Sequence, residues 1–421
     1  VTLKTWPPAW VKSRETGALV AALAGAGIEL RFVGGAVRDS LLGRPATRID
    51  DIDAATSARP EAVLAALAAA RIRAVPTGLA HGTVTAVFPN RHFEITTLRR
   101  DVETDGRHAI VAFDADWAAD AARRDFTINA IYLSPDGALF DPVGGQADLA
   151  AARVRFVGDP ARRLQEDVLR LLRYYRFEAR FGQSSSGLGD GDPAARAACR
   201  AAIPRLPTLS AERVARELLG LLAARDPVRA LNLMRDDGVL AAILPESRHI
   251  DRLRRLRSRD PVLRLAALIE TDMAGARRLG ERLRLSRADR DRLAGLMPPF
   301  ALDPNGDDRA QRLALYRLGA ERYRDLALLL AAEGTVPRTR LRLLLNLAED
   351  WTPPIFPIGG DDVAALGIPE GPEVGRLLTT VRGWWEEGDF GADRKGCLVR
   401  LRQAAGQSLS PSPPVGVRGP G

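Results

Sequence analysis

Residues Arg31–Ser57 read RFVGGAVRDSLLGRPATRIDDIDAATS, and the rest of the chain is organised around this stretch. Leu30, Phe32 and Val33 form a short apolar run, the pattern of a buried strand. A Gly34-Gly35 turn follows, then a helix start over Ala36–Leu42, a Gly43-Arg44-Pro45 turn, and Asp51-Ile52-Asp53. Strand side chains alternate, so Asp51 and Asp53 project from one face. Two carboxylates so placed repel each other unless a cation lies between them. Hard divalent ions with oxygen ligands meet that demand, Mg²⁺ above all where phosphates share the site. A diglycine turn feeding a helix supplies N–H groups and partial positive charge for a phosphate. It is no dinucleotide-binding turn, because no GxGxxG follows. The bland alternative is a solvated acidic turn. Glu94, central in another strand-like run, weighs against it as a third carboxylate for a two-metal site.

At 421 residues the chain is too long for one ordinary domain. Its 46% hydrophobic and 27% charged content is globular, and no apolar run reaches the ~20 residues of a membrane span. VTLKTWPPAWVKSRETG carries proline and charge where a signal peptide needs an apolar block. Cys199 and Cys397 lie far apart, outside any metal spacing, and suit a reducing compartment. A cytoplasmic protein without membrane attachment or an obligate protein partner is expected. The net charge of +8 points to a polyanionic partner. Lys4, Lys12 and Lys395 are the lysines, and arginine supplies the remaining positive charge. Codon bias alone produces such a ratio, so it carries little weight.

The expected architecture is an α+β head with a small mixed or antiparallel sheet, followed by an all-α remainder. Residues 15–30 read as an amphipathic helix, and a second runs from Pro60 to about Ala70 with Ser57 as candidate cap. Strand-like runs follow at Arg71–Val75, Thr83–Phe88 and His92–Thr97. Arg99–Ala119 reads as an irregular, mobile loop. Thr127–Leu133 and Leu139–Asp141 form a hairpin-like pair across Ser-Pro-Asp-Gly. From about Leu149 the periodicity is helical, with one long helix over Leu164–Phe181, a flexible connection at Gln183–Asp192 and a helix over Ala211–Ala223 capped by Ser210. Further helices run from about residue 310 to Glu333 and over Arg338–Glu349. Residues 408–421 are Ser/Pro/Gly-rich and read as disordered.

Two more stretches carry candidate chemistry. In Arg123-Arg124-Asp125-Phe126-Thr127-Ile128-Asn129, paired arginines beside a strand start could clamp phosphates while Asn129 bonds a ribose. Alone, a solvated charge cluster explains them as well. In Gln165–Arg176, Glu166, Arg170 and Arg173 share a helical face, and Asp167 neighbours Arg170. Alone, these are ordinary helix salt bridges.

VGGAVRDSLLGR, DIDAATSA, GLAHGTVTA, EITTLRRD, RRDFTINAI, DPVGGQADL and EDVLRLLRYYRF occur in this order between Phe32 and Phe181. The set resembles the class II tRNA nucleotidyltransferases (CCA-adding enzymes) and their bacterial poly(A) polymerase relatives, within the polymerase-beta-like superfamily. The resemblance implies a catalytic head (1–148), a base-recognising neck (149–225), a body (226–350) and a tRNA-binding tail (351–407). It implies two Mg²⁺ ions on Asp51 and Asp53. Gly34, Gly35 and Arg38 would bind the triphosphate, and Arg123, Arg124, Asp125 and Asn129 the nucleotide phosphate and ribose. Asp167 and Arg170 would select the base, with Arg173 and Arg176 extending that site. The expected activity is template-independent addition of C, C and A from CTP and ATP to a tRNA 3′ end, with pyrophosphate release. A poly(A) polymerase, a partial A- or CC-adding enzyme, and an inactive RNA-binding protein are the alternatives.

The base-selecting role also makes chemical sense on its own. Cytosine and adenine each present an amino donor beside a ring-nitrogen acceptor. An aspartate accepts from the first while an arginine donates to the second. Guanine and uracil reverse both groups, and a site built on such bonds rejects the wrong partner by ~10⁴ or more.

Overall fold

The computed structural model describes residues 6–44, 51–78, 82–105, 108–113, 116–182 and 191–408. They fall into two compact units divided at about residue 290, with 255–258 and 271–276 belonging to the second. In the first, the strands are β1 (Arg31–Val33), β2 (Asp51–Thr56), β3 (Arg73–Gly78), β4 (Thr83–Phe88), β5 (Arg91–Thr97), β6 (Arg99–Asp105), β7 (His108–Phe113), β8 (Tyr132–Leu133) and β9 (Leu139–Phe140). The helices around the site are α1 (Arg14–Gly25), α2 (Gly35–Leu41), α3 (Pro60–Ala69), α4 (Trp117–Ala122), α5 (Gly145–Ala150), α6 (Pro160–Glu166), α7 (Leu169–Phe181), α8 (Pro193–Ala202) and α9 (Ala211–Leu222).

Seven strands form one mixed sheet in the order β3-β4-β5-β2-β1-β8-β9, with β2 and β5 parallel and the other pairs antiparallel. Alternation in β2 and β5 explains how the sheet divides its faces. Ile52, Ala54, Phe93 and Ile95 point into a core shared with Leu19 and Leu23 of α1 and Val63 and Leu67 of α3. Burying one such side chain contributes roughly 1.5–3 kcal/mol, which fixes the register. On the other face Ala55 is sealed by Val33, Leu98, Ala121 and Tyr132, whereas Asp53 and Glu94 remain exposed.

Four expectations in this first unit are corrected. The Arg99–Ala119 stretch is a hairpin of β6 and β7 followed by α4, with Asp105 opposite His108. Val102, Thr104, Ile110, Val111 and Phe113 favour strands, and charged neighbours in the same stretch masked that preference. The helix expected over Leu164–Phe181 is two helices. Asp167 is extended (φ −152°, ψ 110°), and its side chain accepts the N–H of Leu169, so it ends α6 and starts α7. Thr127–Leu133 is a 3-10 turn over Thr127–Asn129 before the two-residue β8. Arg59, not Ser57, occupies the cap position of α3.

In the second unit, the helix expected up to Glu333 breaks at Gly319 (φ +77°) into Asp308–Leu318 and Ala320–Glu333, and Arg338–Asp350 follows. Helices Pro372–Glu387 and Arg394–Ser408 meet over Leu377, Val381, Trp385 and Leu401. Residues 183–190 of the expected connection, and 409–421 of the expected disordered end, lie outside the described residues.

Candidate functional site

β2 and β5 bring the acidic groups together. Their parallel register sets Asp53 beside Glu94 and Asp51 beside His92. The side chain of Asp51 lies outside the described set. Gly34 has φ +80°, and a Cβ there would lie 2.9 Å from Asp53 Oδ2. The first glycine of the diglycine turn is therefore required twice, for its backbone and for the space it leaves at the carboxylate. The exposed carboxylates of Asp53 and Glu94, side by side on two interior strands, are donors of the kind a hard divalent cation takes. Among the described side chains no group of three or more metal-ligating residues is assembled.

Arg38, one turn into α2, is the most enclosed cation of the site at 5% exposure. It donates to Asn129 Oδ1 (2.5 Å) and Asp39 Oδ1 (3.0 Å) and lies 4.2 Å from the Phe181 ring centroid. Burial pulls its guanidinium down to about 10, still charged at neutral pH. Asn129 in turn donates to Asp125 Oδ1 (3.1 Å), and Arg173 of α7 donates to Asp125 Oδ2 through Nε (2.8 Å) and Nη2 (2.5 Å). Burial favours the neutral form of Asp125, but Arg173, Asn129 and the Phe126 N–H outweigh it and hold the carboxyl below its usual range. Four sequence-predicted residues thus form one chain of bonds from α2 to α7: Arg38, Asn129, Asp125 and Arg173.

The 3-10 turn carrying Asn129 is pinned from behind. Phe126 packs against Phe156 and Phe177 with ring centroids 4.9 and 5.0 Å apart. The Thr127 hydroxyl donates to buried Asp148 (2.6 Å), and a Cβ on Gly145 would fall 2.1 Å from the Thr127 carbonyl oxygen. Gly145 and Asp148 lie in the DPVGGQADL motif, which sequence reasoning quoted without assigning a role to either.

Arg123 and Arg124 do not join that chain. Both grip Asp120, which is 1% exposed: Arg123 through Nε (2.7 Å), Arg124 through Nη2 (3.0 Å), while Tyr132 donates its hydroxyl at 2.6 Å. Burial raises the Asp120 carboxyl, but two guanidiniums and the phenol overcome it and hold the group low. Two cations on one anion leave a surplus positive charge, as an anionic ligand requires. Asp120 was missed; its spacing of three and four residues before the pair on α4 was the available signal.

Asp167 and Arg170 stand at the α6–α7 junction with separate partners. Asp167 Oδ2 accepts from Arg213 of α9 (2.6 Å), and Arg170 donates to Glu166 (2.5 Å) and, more weakly, to the Arg123 carbonyl (3.4 Å). Arg176 donates to Glu217 of α9 at 2.5 Å. The polar face of α7 is thus held from α9, and Arg213 and Glu217 are the supporting residues that local spacing could not reveal.

Two family models match segments of the first unit. The model described as poly A polymerase head domain matches residues 30–155, and one described as probable RNA and SrmB-binding site of polymerase A matches 192–250. The chain is 34% identical over 396 residues to CCA tRNA nucleotidyltransferase 1, mitochondrial, of Danio rerio, covering 89% of this chain and 88% of that protein. It is 36% identical over 253 residues to the CCA-adding enzyme of Geobacillus stearothermophilus, covering 60% and 57%. The crystal structure of the Bacillus stearothermophilus CCA-adding enzyme in complex with CTP superposes with a TM-score of 0.75 at 28% identity, over 93% of this chain and 96% of that one.

Proposed function

The chain belongs to the CCA tRNA nucleotidyltransferases, and from that membership we propose how its own residues carry out the reaction. The enzyme adds C, C and A to the 3′ end of tRNA from CTP and ATP. The observation that carries this reading is similarity to a CCA tRNA nucleotidyltransferase along 89% of the chain, beyond the two segments, 30–155 and 192–250, that match poly(A) polymerase models.

Asp51 and Asp53 are the proposed holders of Mg²⁺, which when bound supplies Lewis-acid activation of a hydroxyl and charge neutralisation at phosphate. Glu94, in register with Asp53 on the neighbouring strand, adds negative charge beside it. Gly34 and Gly35 open the path of a triphosphate to α2, and Arg38 supplies a fixed cation one turn in. Arg123 and Arg124, aligned by Asp120, offer their surplus charge to the nucleotide phosphates. Asp125 and Asn129 present oxygen and amide groups for the ribose, oriented by Arg173. Asp167 accepts from the amino group of cytosine or adenine, and Arg170 donates to the ring nitrogen; Arg176 completes the α7 face. In this scheme 1–148, 149–225, 226–350 and 351–407 act as head, neck, body and tRNA-binding tail. Among the described residues no helix is long and apolar enough to cross a membrane, and both cysteines are free and buried. The latter supports a reducing compartment, for which we retain the cytoplasm.

The test is incorporation of each labelled nucleoside triphosphate, with Mg²⁺, into a tRNA lacking its 3′ end. CTP enters first, ATP enters once two cytidines are present, and UTP and GTP stay out. D53N should abolish incorporation while still binding tRNA. Incorporation of all four nucleotides, or none with any divalent metal, would overturn the reading.

A further inference from the structure

A cluster beside the site carries more positive charge than the reaction scheme uses. Three guanidiniums converge on the ring of Phe181, at 4.2 Å for Arg38, 5.0 Å for Arg44 and 5.5 Å for Arg180. One carboxylate, Asp39, serves both Arg38 (3.0 Å) and Arg44 (3.3 Å) through the same oxygen. Arg180 also sits in the last turn of α7, where the helix dipole favours a cation. That effect accounts for one arginine at this end, not for three around one ring.

The position of the cluster indicates its ligand. Arg44 lies beyond the carboxyl end of α2, and seven residues at ~1.5 Å each put that end ~10 Å from the Gly34-Gly35 turn. An incoming nucleotide held by its phosphates at the turn leaves Arg44 and Arg180 for another anion. Arg180 continues the line of Arg170, Arg173 and Arg176 by one further turn of α7. Arg44 and Arg180 are both exposed, so a polyanion can reach them, and the Phe181 ring is within cation–π reach of both.

We infer that Arg44 and Arg180, converging on Phe181, bind a backbone phosphate of the RNA strand whose 3′ end receives the nucleotide. The inference rests on the tRNA-extending activity proposed above and adds two residues to its RNA-binding set. Arginine suits this role because its fork meets two phosphate oxygens at once.

The experiment measures KM for tRNA lacking its 3′ end and KM for CTP separately, in the wild type, R44Q, R180Q and R180K, at several salt concentrations. R44Q and R180Q should each raise KM for tRNA about five- to tenfold and reduce the salt slope of tRNA binding by about one. KM for CTP should not move, and R180K, which keeps the charge but not the fork, should restore the salt slope and part of the tRNA affinity. A raised KM for CTP with tRNA unaffected would assign the cluster to the incoming nucleotide instead. No change in either constant, or an R180K as defective as R180Q, would reduce it to packing. A wild-type protein that extends no tRNA fails the proposed function rather than this inference.

Discussion

Asp53 and Gly34 depend on each other at the scale of single residues. The glycine holds a backbone conformation that costs other residues about 1–3 kcal/mol, and its missing Cβ leaves room for the carboxylate at 2.9 Å. G34A should therefore lower the melting temperature slightly and lower nucleotide incorporation at least tenfold. Wild-type incorporation in a folded G34A protein would remove the glycine from the site. Asp125 supports a prediction in pH. Its carboxyl is held below the usual range, so its bonds to Arg173 and Asn129 stabilise the fold fully above the unfolded value of about 4 and are lost as pH falls through the lower folded value. D125N should lower stability at neutral pH by about 1–3 kcal/mol and flatten the acid limb of the stability–pH curve. An acid limb identical to wild type, measured by denaturant unfolding, would contradict the assignment. The strand that carries Asp51 and Asp53 was legible in the sequence because the side-chain alternation that defines it is local. Asp120 was not, because its purpose appears only once α4 folds and both arginines turn back upon it.

At the scale of elements the junction between α6 and α7 is the informative case. Helical periodicity runs through Asp167 without interruption, so the sequence reads as one helix. The carboxylate breaks it by taking the Leu169 N–H, and Arg213 of α9 holds the result in place. D167A removes both bonds and should cost about 1 kcal/mol as a lost cap. It should also relax base choice, raising UTP and GTP use relative to CTP and ATP. R213A, which leaves Asp167 present but unanchored, should shift the same ratio less. Unchanged discrimination in D167A would refute the base-reading role. Arg213 lies 46 residues from Asp167, a separation no local pattern spans, and the β6–β7 hairpin was obscured by its own charged residues. What was legible at this scale was a small mixed sheet as the base of the head, because apolar residues recur at Ile52 and Ala54, Val84 and Ala86, and Phe93 and Ile95; its strand order was not.

For the whole molecule, the net charge of +8 and an arginine-rich helical half agree with a polyanionic substrate. Binding of tRNA should weaken steeply with salt, linearly in logarithmic coordinates, because each neutralised phosphate releases counterions. A slope near zero would leave the basic balance to codon usage. The family was legible from ordered motifs over Phe32–Phe181, whereas the second unit offered helices without chemistry and stayed opaque. One protein site, in the scheme proposed, builds a defined trinucleotide without a nucleic-acid template. Its most direct test is the length and sequence of the product formed on a tRNA lacking its 3′ end, with CTP and ATP both in excess. The expected product is C, C, A and then arrest; a ladder of long oligo(A), or growth continuing past three residues, would rule out a trinucleotide-building site.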